Sequence, residues 1–277
     1  MELRRRRRDP RNRRYRLRRL IPRGVPVFNT PVVEHCRAVC LLRWTEQVSR
    51  EREERRRSGY PTALLERRLD LDIPHLLIDL AARRPVFHSE ADLQHELAWH
   101  LREVHPDLQL RLEYPLARPS NAAIDILIRN GDQAMALELK YLCQRVEYDV
   151  DGERFALKPQ GAQDVRRYDV LKDVWRMEQF LAARPTASAA VLALTNDPAY
   201  WRGPRGLSTC DAAFALREGR SVTGLLDWAP HTGAGTKRGR ETAINLTGEY
   251  RMTWADYSRN EGPFGEFRFL YLPVERP

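Results

Sequence analysis

Lysine is scarce in this chain, although basic side chains are abundant. Only four of the 47 basic residues are lysines, at positions 140, 158, 172 and 237, and the others are arginines. This excess of arginine indicates a compositional bias rather than a set of individually selected contacts. A lysine inside an apolar segment is therefore informative, because an arginine guanidinium stays protonated and does not act as a tunable acid.

Cysteine is also rare, with four residues at positions 36, 40, 143 and 210. Their spacing gives neither a zinc pattern nor a disulfide framework. His35, Cys36 and Cys40 are interpreted as one face of a helix, because a second pair of metal ligands is missing. Free cysteines are at home in a reducing compartment, so a cytoplasmic location is expected.

Long hydrophobic runs are missing as well, so no membrane-spanning segment is expected. The basic N-terminal region is followed by only a short apolar stretch, which Pro22 and Gly24 break. This pattern does not fit a secretory signal peptide.

The net charge of +9 lies entirely in residues 1–19, which contain eleven arginines against Glu2 and Asp9. Residues 20–277 are balanced, so the overall charge does not by itself indicate nucleic-acid binding. The tail is too highly charged to fold alone and is predicted to be disordered. It could contact phosphates nonspecifically or serve only as a solvated segment, and both interpretations stay open.

Three regions are predicted along the 277 residues: the tail at 1–19, a mainly helical region at 20–85, and one larger α/β domain at 86–277. Within the last region we expect a helix from Ser89, a strand at 108–116, a β-hairpin, a helix at 161–183 and strands at 189–195 and 267–274. Chain length fits one large domain with an appendage.

Charged residues interrupt two apolar, strand-like segments at 123–128 and 135–141. The first segment contains Asp125, and the second contains Glu138, Leu139 and Lys140. Charges buried in such segments are costly unless they are paired or bind something. Two carboxylates and an ammonium so placed predict a metal site with a catalytic lysine.

The Asn130-Gly131 pair predicts a type I′ hairpin turn between these two segments. Such a turn places Asp125 opposite Ala136 and therefore diagonal to Glu138, at roughly 7 Å. Because residues two apart share a face of a strand, Lys140 joins them. The isoleucines at 124, 126 and 128 are expected on the other, packing face, and a slip of one residue would separate the carboxylates.

The preceding helix is predicted to direct another carboxylate toward this hairpin. Ser89 has the form of an N-cap in a capping box, and Leu93, Leu97, Leu101 and Val104 form an apolar stripe. Glu90 lies at the head of the stripe and is expected on the sheet side, whereas Glu96 points to solvent. Alternatively, Glu90 only complements the helix dipole.

This order of elements resembles the PD-(D/E)XK nuclease superfamily, which has the restriction-endonuclease-like fold. The resemblance covers roughly residues 86–195 and departs from the name-giving motif at Ile124, where the motif has proline. It implies an α/β core with a central mixed β-sheet flanked by helices, here with a helical N-terminal extension. It also implies a Mg²⁺-dependent endonuclease acting on nucleic acid.

Residue by residue, the resemblance implies that Asp125, Glu138 and the backbone carbonyl of Leu139 bind Mg²⁺, with Mn²⁺ as a substitute. Lys140 would orient or help deprotonate the attacking water, and Glu90 would bind a metal or position a water on one. Oxygen ligands of this kind suit Mg²⁺. DNA is the expected substrate, although RNA stays open, and nucleases that cut both strands commonly form homodimers.

Four further residues are weaker candidates for contacts with the nucleic acid. Gln163, Arg167 and Lys172 lie in the helix after the hairpin, and Lys237 lies in a glycine-rich basic segment that is predicted to be a loop. An ordinary amphipathic helix would explain the first three equally well.

Two alternatives to a nuclease stay open. One is a non-catalytic module that binds nucleic acid or a protein partner on the same fold. The other is an unrelated α/β protein in which Glu138 and Lys140 form cross-strand ion pairs with Arg129 or Glu113.

Overall fold

The computed structural model describes residues 68–116, 122–159, 162–202, 209–274 and 276. The helices are α1 Ile73–Ala81, α2 Glu90–Val104, α3 Gln163–Ala182 and α4 Pro198–Arg202, with a 3₁₀ turn at Ala212–Phe214. The strands are β1 Gln109–Pro115, β2 Ala123–Asn130, β3 Gln133–Leu142, β4 Val146–Val150, β5 Glu153–Leu157, β6 Ala187–Thr195, β7 Ser221–Leu226, β8 Ile244–Arg251, β9 Trp254–Arg259 and β10 Glu266–Val274.

Six strands form a central sheet in the order β1-β2-β3-β6-β10-β9. Strands β3 and β6 are parallel, and the other neighbours are antiparallel. A parallel pair needs a crossover connection, which α3 provides. The remaining strands form two hairpins, β4-β5 and β7-β8. The expected α/β class with a central mixed sheet is therefore confirmed.

Helices cover both faces of this sheet, and each face has its own apolar core. On one face, α1 and α2 pack against alternate residues of β2 and β3, including Ile126, Ile128, Leu137 and Leu139. On the other face, α3 packs against residues that include Ala136 and Val191. Because both faces are buried, β6 is buried along almost its whole length and consists mainly of apolar residues, as is typical of strands in the middle of an α/β sheet.

The β2–β3 turn differs from its predicted type. Gly131 has a φ of 60°, whereas neither Asn130 nor Asp132 has a positive φ. Asn130 pairs with Gln133, so the central residues are Gly131 and Asp132, and glycine at the first central position is typical of type II′. The predicted type I′ turn at Asn130-Gly131 is wrong.

The register of the hairpin consequently differs from the predicted one by two residues. Leu127, rather than Asp125, lies opposite Ala136. Side chains alternate between faces with a period of two, so a shift of two residues keeps the paired residues Ile126–Asn130 and Gln133–Leu137 on their predicted faces. The shift brings the positions of Asp125 and Glu138 directly opposite each other instead of diagonal.

Helix α2 begins as predicted. Ser89 is its N-cap, and its hydroxyl accepts a hydrogen bond from the Asp92 N–H at 3.1 Å. Asp92 does not complete a capping box, because its carboxylate accepts from His88 N–H and Arg84 instead. The predicted stripe is buried at Leu93, Leu97 and Leu101, but Val104 at the end of the helix is exposed.

The predicted boundary between residues 85 and 86 does not separate two cores among the described residues. Leu77 and Leu80 of α1 belong to the same apolar core as Leu93 and Leu97 of α2. The predicted tail at 1–19, the rest of the helical region up to residue 67, and the cysteines at 36 and 40 lie outside the described residues.

The predicted strands at 108–116, 189–195 and 267–274 are present as β1, β6 and β10, and the helix at 161–183 is α3. Within the part of the chain that is described, no helix combines the length and apolar character needed to cross a membrane.

Candidate active site

Strands β2 and β3 separate before β3 ends, and the predicted site lies where they part. Their pairing stops at Ile126 and Leu137, whereas β3 continues to Leu142 beside β6. The backbone N–H of Leu139 instead donates to Asp125 Oδ2 at 2.6 Å, and that of Tyr141 donates to Glu90 Oε2 at 2.8 Å. We call this edge of β3, with its two carboxylates, the β2–β3 fork.

A local distortion of β1 and β2 opens the fork. Glu113 has a φ of 49°, and Glu113 and Asp125 drop out of the β1–β2 pairing although their neighbours pair normally. The buried amide of Gln94 on α2 fills the gap, with Nε2 donating to the Asp125 carbonyl and to Glu113 Oε1, both at 2.8 Å. Gln94 therefore fixes the backbone that carries Asp125.

The distortion also changes where one predicted packing residue lies. Ile124 is buried in the core of the α3 face, whereas Ile126 and Ile128 lie in the core of the opposite face. The prediction that all three isoleucines share one face is wrong at Ile124, because the ladder is interrupted at Asp125.

Lys140 reaches back over the fork and contacts both the backbone and α3. Its Nζ donates to the carbonyl of Leu139 at 2.9 Å and lies 2.8 Å from Asp173 Oδ2. The ammonium therefore sits between the carbonyl predicted to bind metal and a carboxylate of the next helix.

Glu138 lies beneath the fork and is only 2% exposed. Its Oε1 accepts from Arg176 on α3 at 3.0 Å. Arg176 also donates to Asp173 Oδ1 at 2.7 Å and to the Ala123 carbonyl at 2.9 Å. The i, i+3 pair Asp173 and Arg176 thus holds Lys140 and Glu138 from the same helix face.

Burial and crowding of like charge shift the carboxyl pKa values upward. Burial raises the pKa of Asp125 to about 6, with the Leu139 N–H and Lys140 opposing the shift and Glu90 and Asp173 adding to it. Burial raises the pKa of Glu138 as well, and the carboxylates of Asp173 and Asp125 raise it further. Both groups would hold their charge more readily beside an added cation.

The pKa of Lys140 is raised, whereas a lysine that acts as a catalytic base needs a lowered pKa. Burial alone lowers it, but the carboxylates of Asp173, Glu90 and Asp125 outweigh burial, so the pKa lies above its ordinary value. Lys140 is therefore a fixed ammonium at neutral pH in this arrangement.

The oxygen atoms at the fork suit a hard divalent cation, but the positively charged side chains of Lys140 and Arg176 already occupy them. Carboxylate and carbonyl oxygens are the ligands that Mg²⁺ takes. However, Lys140 occupies the Leu139 carbonyl and Arg176 occupies Glu138. Among the described residues, no three side chains of the metal-binding types are grouped closely enough to hold an ion. A cation would therefore need these two contacts to open.

The four strongest predicted site residues, Glu90, Asp125, Glu138 and Lys140, meet at the fork. Their mutual effects on pKa place them within one electrostatic neighbourhood. Glu90 faces the sheet as predicted, since it caps the Tyr141 N–H.

Three of the four weaker predicted contacts have partners within the protein. Gln163 donates to Asp197, and Arg167 is buried against Asp211 at 2.5 Å. The Lys172 ammonium lies 5.9 Å from the centre of the Tyr168 ring. Lys237 lies in the turn that connects β7 to β8 and is half-buried.

The named partners in the ion-pair alternative are not those observed. Lys140 pairs with Asp173 and Glu138 pairs with Arg176, whereas Glu113 binds Gln94. The helix α3 supplies both partners instead of the neighbouring strands.

Sequence reasoning missed Gln94, Asp173 and Arg176. Asp173 is 5% exposed and Gln94 is 7% exposed, which is unusual for polar residues on a helix. The available signal was the position of Asp173 between Leu171 and Val174, both fully buried. A charge inside an apolar helix face is costly without a partner.

Comparisons with models of protein families, with curated proteins and with solved structures gave no match to this chain.

Proposed function

We propose that the protein is a metal-dependent nuclease on a restriction-endonuclease-like core and that the β2–β3 fork is its active site. The convergence of Glu90, Asp125, Glu138 and Lys140 on one strand edge carries the proposal. These residues arrive on α2, β2 and β3, followed by α3 and the parallel strand β6. That sequence of elements is the one that the resemblance to PD-(D/E)XK nucleases implies.

Asp125, Glu138 and the Leu139 carbonyl would hold Mg²⁺ or Mn²⁺, with Glu90 beside them. The bound cation would supply positive charge that favours ionisation of a water and stabilises the phosphoryl transition state. The raised pKa values of Asp125 and Glu138 support this assignment, because two crowded carboxyl groups gain most from a cation.

Lys140 would act through its charge. Because its pKa is above the ordinary value, its ammonium can orient a water or a phosphate oxygen and offset the phosphate charge, but it is a poor base. Asp173 would hold Lys140 in place, and Arg176 would neutralise Glu138 before a metal arrives. Both contacts come from α3, which makes this helix part of the proposed site.

A second candidate is a module that binds nucleic acid or a partner without chemistry. The observation that favours it is the pairing of both charged residues of β3, since Glu138 and Lys140 each have a partner on α3. A structural ion-pair network would look the same without substrate.

Cleavage of a panel of nucleic acids separates these candidates. Single- and double-stranded DNA and RNA would be incubated with the full chain and Mg²⁺, Mn²⁺ or EDTA. We expect metal-dependent hydrolysis with DNA as the main substrate, and binding without hydrolysis under all conditions would favour the second candidate. The size of the complex on DNA in gel filtration tests the proposed homodimer.

A further inference from the structure

A second polar site lies at the same end of the parallel strands β3 and β6 as the fork, beyond β6. A cavity of about 420 Å³ opens between the end of β6, helix α4 and the turn between β9 and β10. Its volume is in the range of small-molecule sites. The polar and aromatic residues of its wall include Asn196, Trp201, Arg202, Arg259, Asn260 and Phe264.

One of the two asparagine amides in this wall has a donor without a partner. The Oδ1 of the fully buried Asn196 accepts from the Gln144 N–H at 2.8 Å, which orients the amide. Its Nδ2 faces the Tyr148 hydroxyl, whose oxygen can accept from it, so this amide is occupied within the protein. The buried Nδ2 of Asn260, in contrast, has no partner among the described residues. Buried donors without partners are rare in folded proteins and point to a missing ligand.

The charged side chains of the cavity leave room for one anionic group. Arg202 and Arg259 provide two guanidinium groups, and Glu266 provides one carboxylate. Arg259 lies 3.8 Å from both Asp256 and Glu266, and 74% of its side chain is accessible. Guanidinium groups suit phosphate oxygens because they donate two parallel hydrogen bonds. The charged residues of the described lining sum to +1, which fits a phosphate monoester better than a polyphosphate.

Aromatic side chains complete the wall. Trp201 is buried, whereas Phe264 is 42% exposed, which is unusual for a large apolar residue. The Phe264 backbone has a φ of 54°, and its carbonyl accepts from the Tyr148 hydroxyl. An exposed ring held in this way offers a face on which a base can stack.

From these features we propose that the cavity binds one nucleotide as a phosphate monoester, with Arg202 and Arg259 on the phosphate, the Asn260 amide as a donor and Phe264 against the base. The nucleotide comes either free from solution or from the phosphorylated end of a bound strand. The second source rests on the proposed nuclease function. In that case the spacing between the pocket and the fork would determine how far from the phosphorylated end the strand is cut.

The position of the cavity fits a strand that also reaches the fork. Asn196 follows β6 directly, and β6 runs parallel to β3, with Lys140 beside Ala193. Gln144, two residues after β3, donates hydrogen bonds to the side chains of both Asn196 and Asp197. Because neighbouring strands lie about 4.8 Å apart, the fork and the cavity are separated by two to three strand spacings, roughly 10–15 Å.

Calorimetric titration of the full chain in EDTA tests the proposal without any cleavage. The probes are AMP, inorganic phosphate, and a single-stranded oligonucleotide with either a 5′-phosphate or a 5′-hydroxyl. The variants are Arg202→Ala, Arg259→Ala and the double substitution, with the exposed Arg251→Ala on β8 as the matched control.

We expect the double variant to weaken binding of AMP or of the phosphorylated oligonucleotide by about tenfold or more, while the control stays within about twofold. Tight binding of AMP identifies a free nucleotide as the source, and a preference for the 5′-phosphate over the 5′-hydroxyl strand identifies the strand end. The proposal is overturned if the double variant binds like wild type, if neither probe binds, or if inorganic phosphate binds as well as AMP.

The two proposals fail separately. Lys140→Ala in the fork is expected to abolish cleavage and leave AMP binding unchanged. If wild type binds nucleotide through the two arginines but cleaves nothing, the nuclease proposal fails and the nucleotide pocket stands.

Discussion

The Asp125 carboxylate accepts a hydrogen bond from the backbone N–H of Leu139, with 2.6 Å between Oδ2 and N. This contact replaces the next rung of the β2–β3 ladder, which ends at Ile126 and Leu137. A side chain thus completes the edge of β3, so the carboxylate is oriented before any ligand arrives. Oriented ligands of this kind reduce the reorganisation needed to bind a cation.

Asp125→Asn is expected to stabilise the fold at neutral pH. The pKa of Asp125 rises from 3.8 to about 6 on folding, so between these pH values the folded chain holds a proton that the unfolded chain has lost. Stability therefore falls as pH rises through this window. Asparagine still accepts from Leu139 without carrying charge, so the variant should gain about 1–2 kcal/mol at pH 7.5 and little at pH 4.

Urea unfolding of both proteins at the two pH values measures this effect. Equal stability at pH 7.5, or a loss in the variant, would show that the ionised Asp125 is well accommodated and needs no cation.

With Mg²⁺ added at pH 7.5, wild type is expected to become more stable to unfolding than Asp125→Asn. A ligand that binds only the folded chain stabilises it by about 2.7 kcal/mol at one hundred times its Kd. Wild type should therefore become more stable as Mg²⁺ is added at pH 7.5, while Asp125→Asn should not respond. The wild-type gain should shrink below pH 6, because protons compete for Asp125. A similar response of both proteins would place the cation elsewhere.

Asp173→Asn is expected to change the pH dependence of cleavage. Asp173 is the first of the carboxylates that raise the pKa of Lys140, and their charged atoms lie 2.8 Å apart. Without that charge the Lys140 pKa falls, so the alkaline limb of the pH–rate profile should move to lower pH. We expect kcat to fall by about 10- to 100-fold, as is typical when a supporting partner is removed.

Asp169→Asn, on the same helix but paired with Arg240, is the matched control. It should leave the profile in place. If both variants keep the wild-type profile, Asp173 has no role in holding Lys140.

Gln94→Leu is expected to damage both stability and activity. The buried amide serves the Asp125 carbonyl and Glu113, and leucine would leave these acceptors without a partner. The expected cost is about 1–3 kcal/mol in the free energy of unfolding, with reduced cleavage because Asp125 loses its support. The exposed Gln179→Leu on α3 serves as the control, and an unchanged cleavage rate in folded Gln94→Leu would contradict this role.

The sequence predicted the elements that carry the site better than their exact pairing. The apolar periodicity of α2 and its Ser89 cap were enough to direct Glu90 toward the sheet. The Asn130-Gly131 pair indicated a hairpin, but glycine suits either of two turn types, and the turn formed one residue later. The site residues still share a face of the hairpin, because the register moved by two residues rather than one.

The partners on α3 could not be predicted from local patterns. Asp173 and Arg176 have the spacing of an ordinary surface ion pair on a helix. Their importance comes from the packing of α3 against β3, which is a tertiary contact. Strands β7, β8 and β9 were also not predicted. The alternation of β9 is weak, and glycine interrupts the apolar pattern of β7 and β8.

Cleavage of a plasmid in Mg²⁺ by wild type, Asp125→Ala, Lys140→Ala and the control Asp169→Asn tests the role of the fork most directly. Folding of each variant would be verified by its thermal unfolding. The account predicts that wild type and the control cleave the plasmid, while both fork variants lose at least about 100-fold in rate. Cleavage by folded Asp125→Ala and Lys140→Ala at the wild-type rate would contradict it.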